Sequence, residues 1–113
     1  MSLKLTTRQV GDVVIVDAAG RITLGEGSSA FRDTIKDLVN KGHKKILVNL
    51  GEVTYIDSSG IGELVSGYTT VSNAGGQMKL LNLTKRVHDL LQITKLYTVF
   101  EVFDDEAKAL ASF

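Results

Sequence analysis

Apolar and polar positions alternate through 3-LKLTTR-8, the period of a strand with one buried face. Gly11-Asp12 interrupts the alternation as a turn, and 13-VVIVDAAG-20 follows it with β-branched residues. The chain therefore opens with a predicted β-hairpin. The stretch 20-GRITLGEGSS-29 reads as a loop, and Ser28 or Ser29 is placed to cap a helix. Behind it Phe31, Ile35, Leu38 and Val39 recur at helical spacing, with Gly42 just past the C-cap.

The second half alternates in the same way. The run 45-KILVNL-50 is almost continuously apolar, the pattern of a strand covered on both faces. Ile61, Leu64, Val65, Tyr68 and Val71 share one helical face that ends at Gly75-Gly76. A strand over 77-QMKLLNL-83 follows. Thr84 then caps a short helix whose Val87, Leu90 and Leu91 face inward. The run 97-YTVFEVF-103 predicts a last strand, and Asp104 caps a last helix over 105–112. The order ββαβαβαβα predicts an α/β fold whose mixed, mostly parallel central sheet is covered by helices. No repeat, linker or low-complexity segment divides it, so one domain is expected over residues 1–113. The sequence has no proline, which leaves the turns to Gly, Asn, Asp and Ser.

A chain of 113 residues is long enough to bury one core. With 43% hydrophobic and 23% charged residues it has the make-up of a soluble globular protein. Thirteen basic residues balance thirteen acidic ones, so no overall field steers it to nucleic acid or an anionic membrane. The absence of cysteine excludes disulfides, thiol catalysis and cysteine-ligated metals, and fits a reducing compartment. The opening MSLKLTTRQVGD lacks the apolar core of a signal peptide, and no apolar run approaches the ~18 residues of a membrane span. A cytoplasmic protein is expected, with no membrane span and no direct nucleic-acid partner.

The candidate chemistry is concentrated in 54-TYIDSSGIGE-63. Asp57, Ser58 and Ser59 fall where a strand's exit becomes a helix N-terminus, a place with unpaired N–H donors and a positive dipole end. One hydroxyl or carboxylate suffices as a cap, yet three such side chains stand in a row. Gly60 and Gly62 occupy the first helical turn, where each costs ~1 kcal/mol relative to Ala. Such glycines leave backbone and hydroxyl open to a close approach, and Gly67 weakens the helix again. The residues alone support two readings, a helix cap and a site that trades local stability for access.

The segment 57-DSSGIG-62, preceded by 46-ILVNLGEVTYI-56, closely resembles the phosphorylatable loop of the anti-sigma factor antagonists of the bacterial STAS-domain family. The resemblance extends over essentially the whole chain, through Gly-Arg-Ile-Thr at 20–23 and the stretch 75-GGQMKLLNL-83. The family more often has Leu where Ile61 stands, a change that conserves volume. The resemblance implies a binding switch without catalytic activity, cofactor or metal. In such a switch the unphosphorylated antagonist binds an anti-sigma factor that is also a serine kinase, phosphorylation releases it, and a phosphoserine phosphatase resets it. Carried onto this chain, the acceptor is Ser58, and Asp57, Ser59, Gly60, Ile61 and Gly62 form the docking rim. Ser59 is the competing acceptor. Thr23 and Ser28, in the loop 20–29, are expected to extend the docking face. For Ser28 the capping role stands beside that one.

Other classes fit less well. A receiver domain phosphorylated on Asp57 would need acidic neighbours near the first strand's end, and Asp17 stands without one. A serine hydrolase would need Gly-x-Ser-x-Gly, which neither DSSGIG nor 65-VSGY-68 supplies. His43 lies among Lys41, Lys44 and Lys45, and His88 lies on the polar side of its helix. Both read as surface residues. Gly25-Glu26-Gly27 lacks the spacing of a nucleotide-binding glycine motif. The remaining alternative is a STAS module that acts as an unphosphorylated adaptor or scaffold, although such modules often lose the acceptor serine that is present here.

Overall fold

Val10 pairs with Val13 across the two-residue turn Gly11-Asp12, where Gly11 takes a left-handed φ of +62°. This turn joins β1 (Lys4–Val10) antiparallel to β2 (Val13–Ile22), as expected of a tight hairpin with glycine in its turn. The computed structural model describes residues 3–113. Residues 1–2 of the expected domain, and of the N-terminal stretch read above as no signal peptide, lie outside the described residues. After the hairpin come α1 (Glu26–Asn40), β3 (Lys45–Ile56), α2 (Ser58–Asn73) and β4 (Gln77–Leu81). The chain closes with α3 (Lys85–Ile93), β5 (Val102–Phe103) and α4 (Glu106–Ala111).

The sheet runs β1-β2-β3-β4-β5 in space. Its first pair is antiparallel and the other three are parallel, so the expected mixed, mostly parallel α/β fold is present. Period-two alternation divides each apolar run between two faces. Val14, Val16, Ile46, Val48 and Leu80 face the main core with Phe31, Ile35, Ile61, Leu64, Val71, Val87 and Leu91 from α1, α2 and α3. Val13, Ile15, Leu47 and Leu81 face a smaller cluster closed by Ala109 of α4. Coverage on both faces is why 13-VVIV-16 of β2, 46-ILV-48 of β3 and 80-LL-81 of β4 are continuous apolar runs.

The boundaries differ from expectation at several ends, among them that of β4, which stops at Leu81 and not at Leu83. β3 continues past Leu50 to Ile56, because β2 shifts register between Asp17 and Ala19 and between Gly20 and Arg21 and stays paired to the end. β5 is only two residues long: Phe100 turns into the core instead of extending a strand from Tyr97. The last helix is capped by Asp105, which accepts from the N–H groups of Ala107 and Lys108, and not by Asp104. Neither Ser28 nor Ser29 caps α1, which already begins at Glu26 behind Gly25.

Candidate functional site

Asp57 follows directly on the last residue of β3 and is the N-cap of α2, with extended backbone (φ −109°, ψ −175°). One carboxylate oxygen accepts from the N–H of Gly60 at 2.9 Å, the bond expected of an aspartate cap to the third helical residue. The other accepts from the N–H of Leu24 at 3.3 Å. The backbone N–H of Asp57 donates to the carbonyl of Ile22 at 3.4 Å. One residue thus ties the end of β2 and the loop behind it to the start of α2.

That arrangement settles how the polar side chains divide the work. The cap is Asp57 alone, so the serines are not needed for it. Ser58, the first residue of α2, is exposed, and Ser59 is half-buried. Among the described residues no hydrogen bond engages either hydroxyl. Ser58 therefore presents a free hydroxyl at a helix N-terminus, where backbone N–H groups and the dipole favour an added anion.

The two glycines of the first turn have different reasons. A Cβ on Gly60 would stand 2.2 Å from the carbonyl oxygen of Ile22 and 2.6 Å from Cγ1 of Ile56, so only glycine lets α2 seat against the end of β2. A Cβ on Gly62 would meet nothing within 4 Å. Gly60 is buried and Ile61 is 2% exposed within the main core. Both pack against the chain's own core, and that packing holds Asp57 and Ser58 in position.

The loop after β2 lies beside this helix start, through Ile22 and Leu24. Thr23 is half-buried there. Ser28 is 4% exposed, and its hydroxyl donates to the Thr23 carbonyl at 2.8 Å while its N–H donates to the same oxygen at 3.0 Å. Ser28 is thus turned inward, and these two hydrogen bonds fix the loop. Leu24, which the sequence reading passed over, is 80% exposed. A large aliphatic standing among Thr23, Gly25, Glu26 and Gly27 was the available signal. Across the helices, Glu63 of α2 accepts from Arg32 of α1 at 2.6 and 3.2 Å, which neutralises the carboxylate nearest the serines on that helix.

Neither histidine belongs to the site. His43 precedes β3, at the opposite end of that strand from Ser58. His88 lies edge-on to Tyr97, with ring centroids 5.5 Å apart. Among the described residues no three His, Cys, Asp or Glu side chains come together as metal ligands, and no helix is long and apolar enough to cross a membrane.

The family model of the STAS domain matches residues 4–109. The chain belongs to the STAS domain family. It is 34% identical over 102 residues to a candidate anti-sigma factor antagonist of Thermotoga neapolitana, covering 89% of each protein. It is 28% identical over 102 residues to the anti-sigma-B factor antagonist of Bacillus subtilis, with 90% of this chain and 92% of that one covered. The crystal structure of a candidate anti-sigma factor antagonist from Thermotoga maritima superposes with a TM-score of 0.88 at 28% identity, covering 96% of this chain and 92% of the other. In this STAS domain the DSSGIG segment forms the β3–α2 junction, beside the β2–α1 loop.

Proposed function

We propose that this STAS domain is an anti-sigma factor antagonist switched by phosphorylation of Ser58. The unphosphorylated chain binds an anti-sigma factor with serine kinase activity, and a sigma factor is freed. Transfer of the γ-phosphoryl group of ATP to Ser58 ends the complex, and a phosphoserine phosphatase restores it. The chain binds and releases; it catalyses nothing itself. The observation that carries this reading is the division of labour at α2: Asp57 caps the helix and leaves the exposed Ser58 hydroxyl unused. The names of the curated relatives support the choice of partner.

Phosphorylation adds about −1.5 to −2 charges. The helix N-terminus tolerates that charge in the free protein, so the cost falls on the interface, where the phosphate must be desolvated against the partner. A switch of this kind needs only a difference in affinity between the two states. The docking face comprises Ser58, Ser59 and the open backbone at Gly62, with Thr23 and the exposed Leu24 alongside.

The test is calorimetric titration of the chain into a purified anti-sigma kinase from the same organism. Ser58→Ala is expected to bind as wild type does and to stay bound when ATP is added. Ser58→Asp is expected to bind at least tenfold more weakly with its thermal midpoint nearly unchanged. Wild-type affinity in Ser58→Asp, together with release of Ser58→Ala by ATP, would overturn the proposal.

A further inference from the structure

The chain has four arginines, Arg8, Arg21, Arg32 and Arg86, and they fall into two pairs. Arg8 donates to Asp17 and Glu106, and Arg32 donates to Glu63, each with distances down to 2.6–2.7 Å. Arg21 and Arg86 pair with no carboxylate and donate to no protein acceptor among the described residues. Both instead stack on a single ring. The guanidinium carbon of Arg21 lies 4.8 Å from the centroid of Tyr55, and that of Arg86 lies 4.4 Å from it.

The topology explains the convergence. Arg21 and Tyr55 are register partners near the ends of β2 and β3, and Arg86 stands in the first turn of α3, which follows β4 on the other side of β3. The two cations therefore flank the ring, one from the β2 side and one from the α3 side. Stacking on an aromatic face fixes a guanidinium and leaves its N–H edge free. Two like charges, both exposed, held on one half-buried ring without a counter-ion form a cluster that an anion would relieve. It lies at the C-terminal edge of the parallel strands, three residues before Ser58.

We infer that Arg21, Tyr55 and Arg86 form a docking site for an acidic segment of a protein partner, which supplies one carboxylate to each guanidinium. Charge complementarity identifies the occupant. A single phosphate would need both N–H edges turned to one point, whereas the two guanidiniums reach the ring from different elements, β2 and α3. A duplex nucleic acid would need a wider basic field than this chain, with its balanced charges, carries. The inference stands apart from phosphorylation of Ser58, although an acidic partner segment bound here would lie at the same edge of the sheet as that serine.

The test uses the uniformly 15N-labelled full chain at low salt, titrated with the capped peptide acetyl-Asp-Glu-Asp-Glu-amide and separately with inorganic phosphate. Side-chain Nε–Hε signals are read for all four arginines. The expected result is saturable movement of the Arg21 and Arg86 signals with peptide, while the ion-paired Arg8 and Arg32 serve as still references. In the Arg21→Gln/Arg86→Gln double variant, the peptide's apparent affinity is expected to fall at least tenfold with the amide spectrum otherwise conserved. Equal movement of all four arginines, or none, would overturn the inference. Saturation at lower concentration with phosphate than with peptide would also overturn it and mark a phosphate site. No arm requires the kinase or Ser58, so a failure of the partner-switch reading would leave this result readable.

Discussion

The Asp57 carboxylate holds the backbone N–H of Leu24 at 3.3 Å across the gap between two loops. Its other oxygen holds the N–H of Gly60. Asp57→Ala is therefore expected to lose the cap and the loop tie together, lowering stability by about 0.5–2 kcal/mol. Hydrogen exchange at the Leu24 and Gly60 amides should accelerate with it. Exchange unchanged at Leu24 would mean that the carboxylate does not hold the loop.

Gly60 and Gly62 should respond to alanine with opposite signs. Gly60→Ala drives a Cβ into the Ile22 carbonyl and the Ile56 side chain, an overpacking expected to cost about 1–3 kcal/mol or more. Gly62→Ala places its methyl in open space and should add up to ~1 kcal/mol through helix propensity. Paired urea denaturation curves decide this, and a similar loss in both variants would contradict the packing argument.

Much of this fold could be read from the sequence, and the misreadings share a physical cause. Apolar periodicity located the elements that bury a face, because the periods of strand and helix differ; β1, exposed along nearly all its length, and the two-residue β5 bury little. It misplaced ends where pairing, not patterning, decides: β3 runs through Gly51-Glu52 because β2 keeps pairing there. In the DSSGIG segment the reading located the junction but could not distribute roles among Asp57, Ser58 and Ser59. Any of the three can cap, and the choice depends on the position of Leu24, 33 residues away. Gly60 looked like an opening for a partner, yet the neighbour that requires glycine is the chain's own Ile22. Stacking of Arg21 and Arg86 on Tyr55 joins three elements that no local pattern connects.

Acid should destabilise the protein partly through Arg8. Its guanidinium hydrogen-bonds Asp17 and Glu106 and holds both carboxyls below their ordinary values of 3.8 and 4.5. Asn49 assists at Asp17. Because these folded-state values are depressed, the stabilisation is present above the ordinary carboxylate range. It is lost as pH falls through the lower folded values. Arg8→Gln should flatten the fall in urea midpoint between neutral pH and about pH 3. The partners are part-exposed, so 0.5 M salt should weaken the contrast. Identical slopes for wild type and variant at low salt would contradict it.

Lys79 is 6% exposed, and its ammonium donates to the carbonyl and hydroxyl of Ser112 at 2.9 Å each while pairing with Glu101 at 2.8 Å. Its position over the Phe113 ring, 4.8 Å from the centroid, adds a cation–π contact. Lys79→Ala should cost about 1–3 kcal/mol by stranding these acceptors, and exchange at the Ala109 and Ser112 amides should rise first. Global destabilisation without selective loosening of α4 would show that Lys79 does not anchor that helix.

The central claim is that Ser58 is the switch, and the most direct measurement is intact mass after incubation with ATP and an anti-sigma kinase from the source organism, wild type beside Ser58→Ala. The account predicts one added phosphoryl group on wild type and none on the variant. Equal addition to both would contradict it and move the acceptor, with Ser59 first in line.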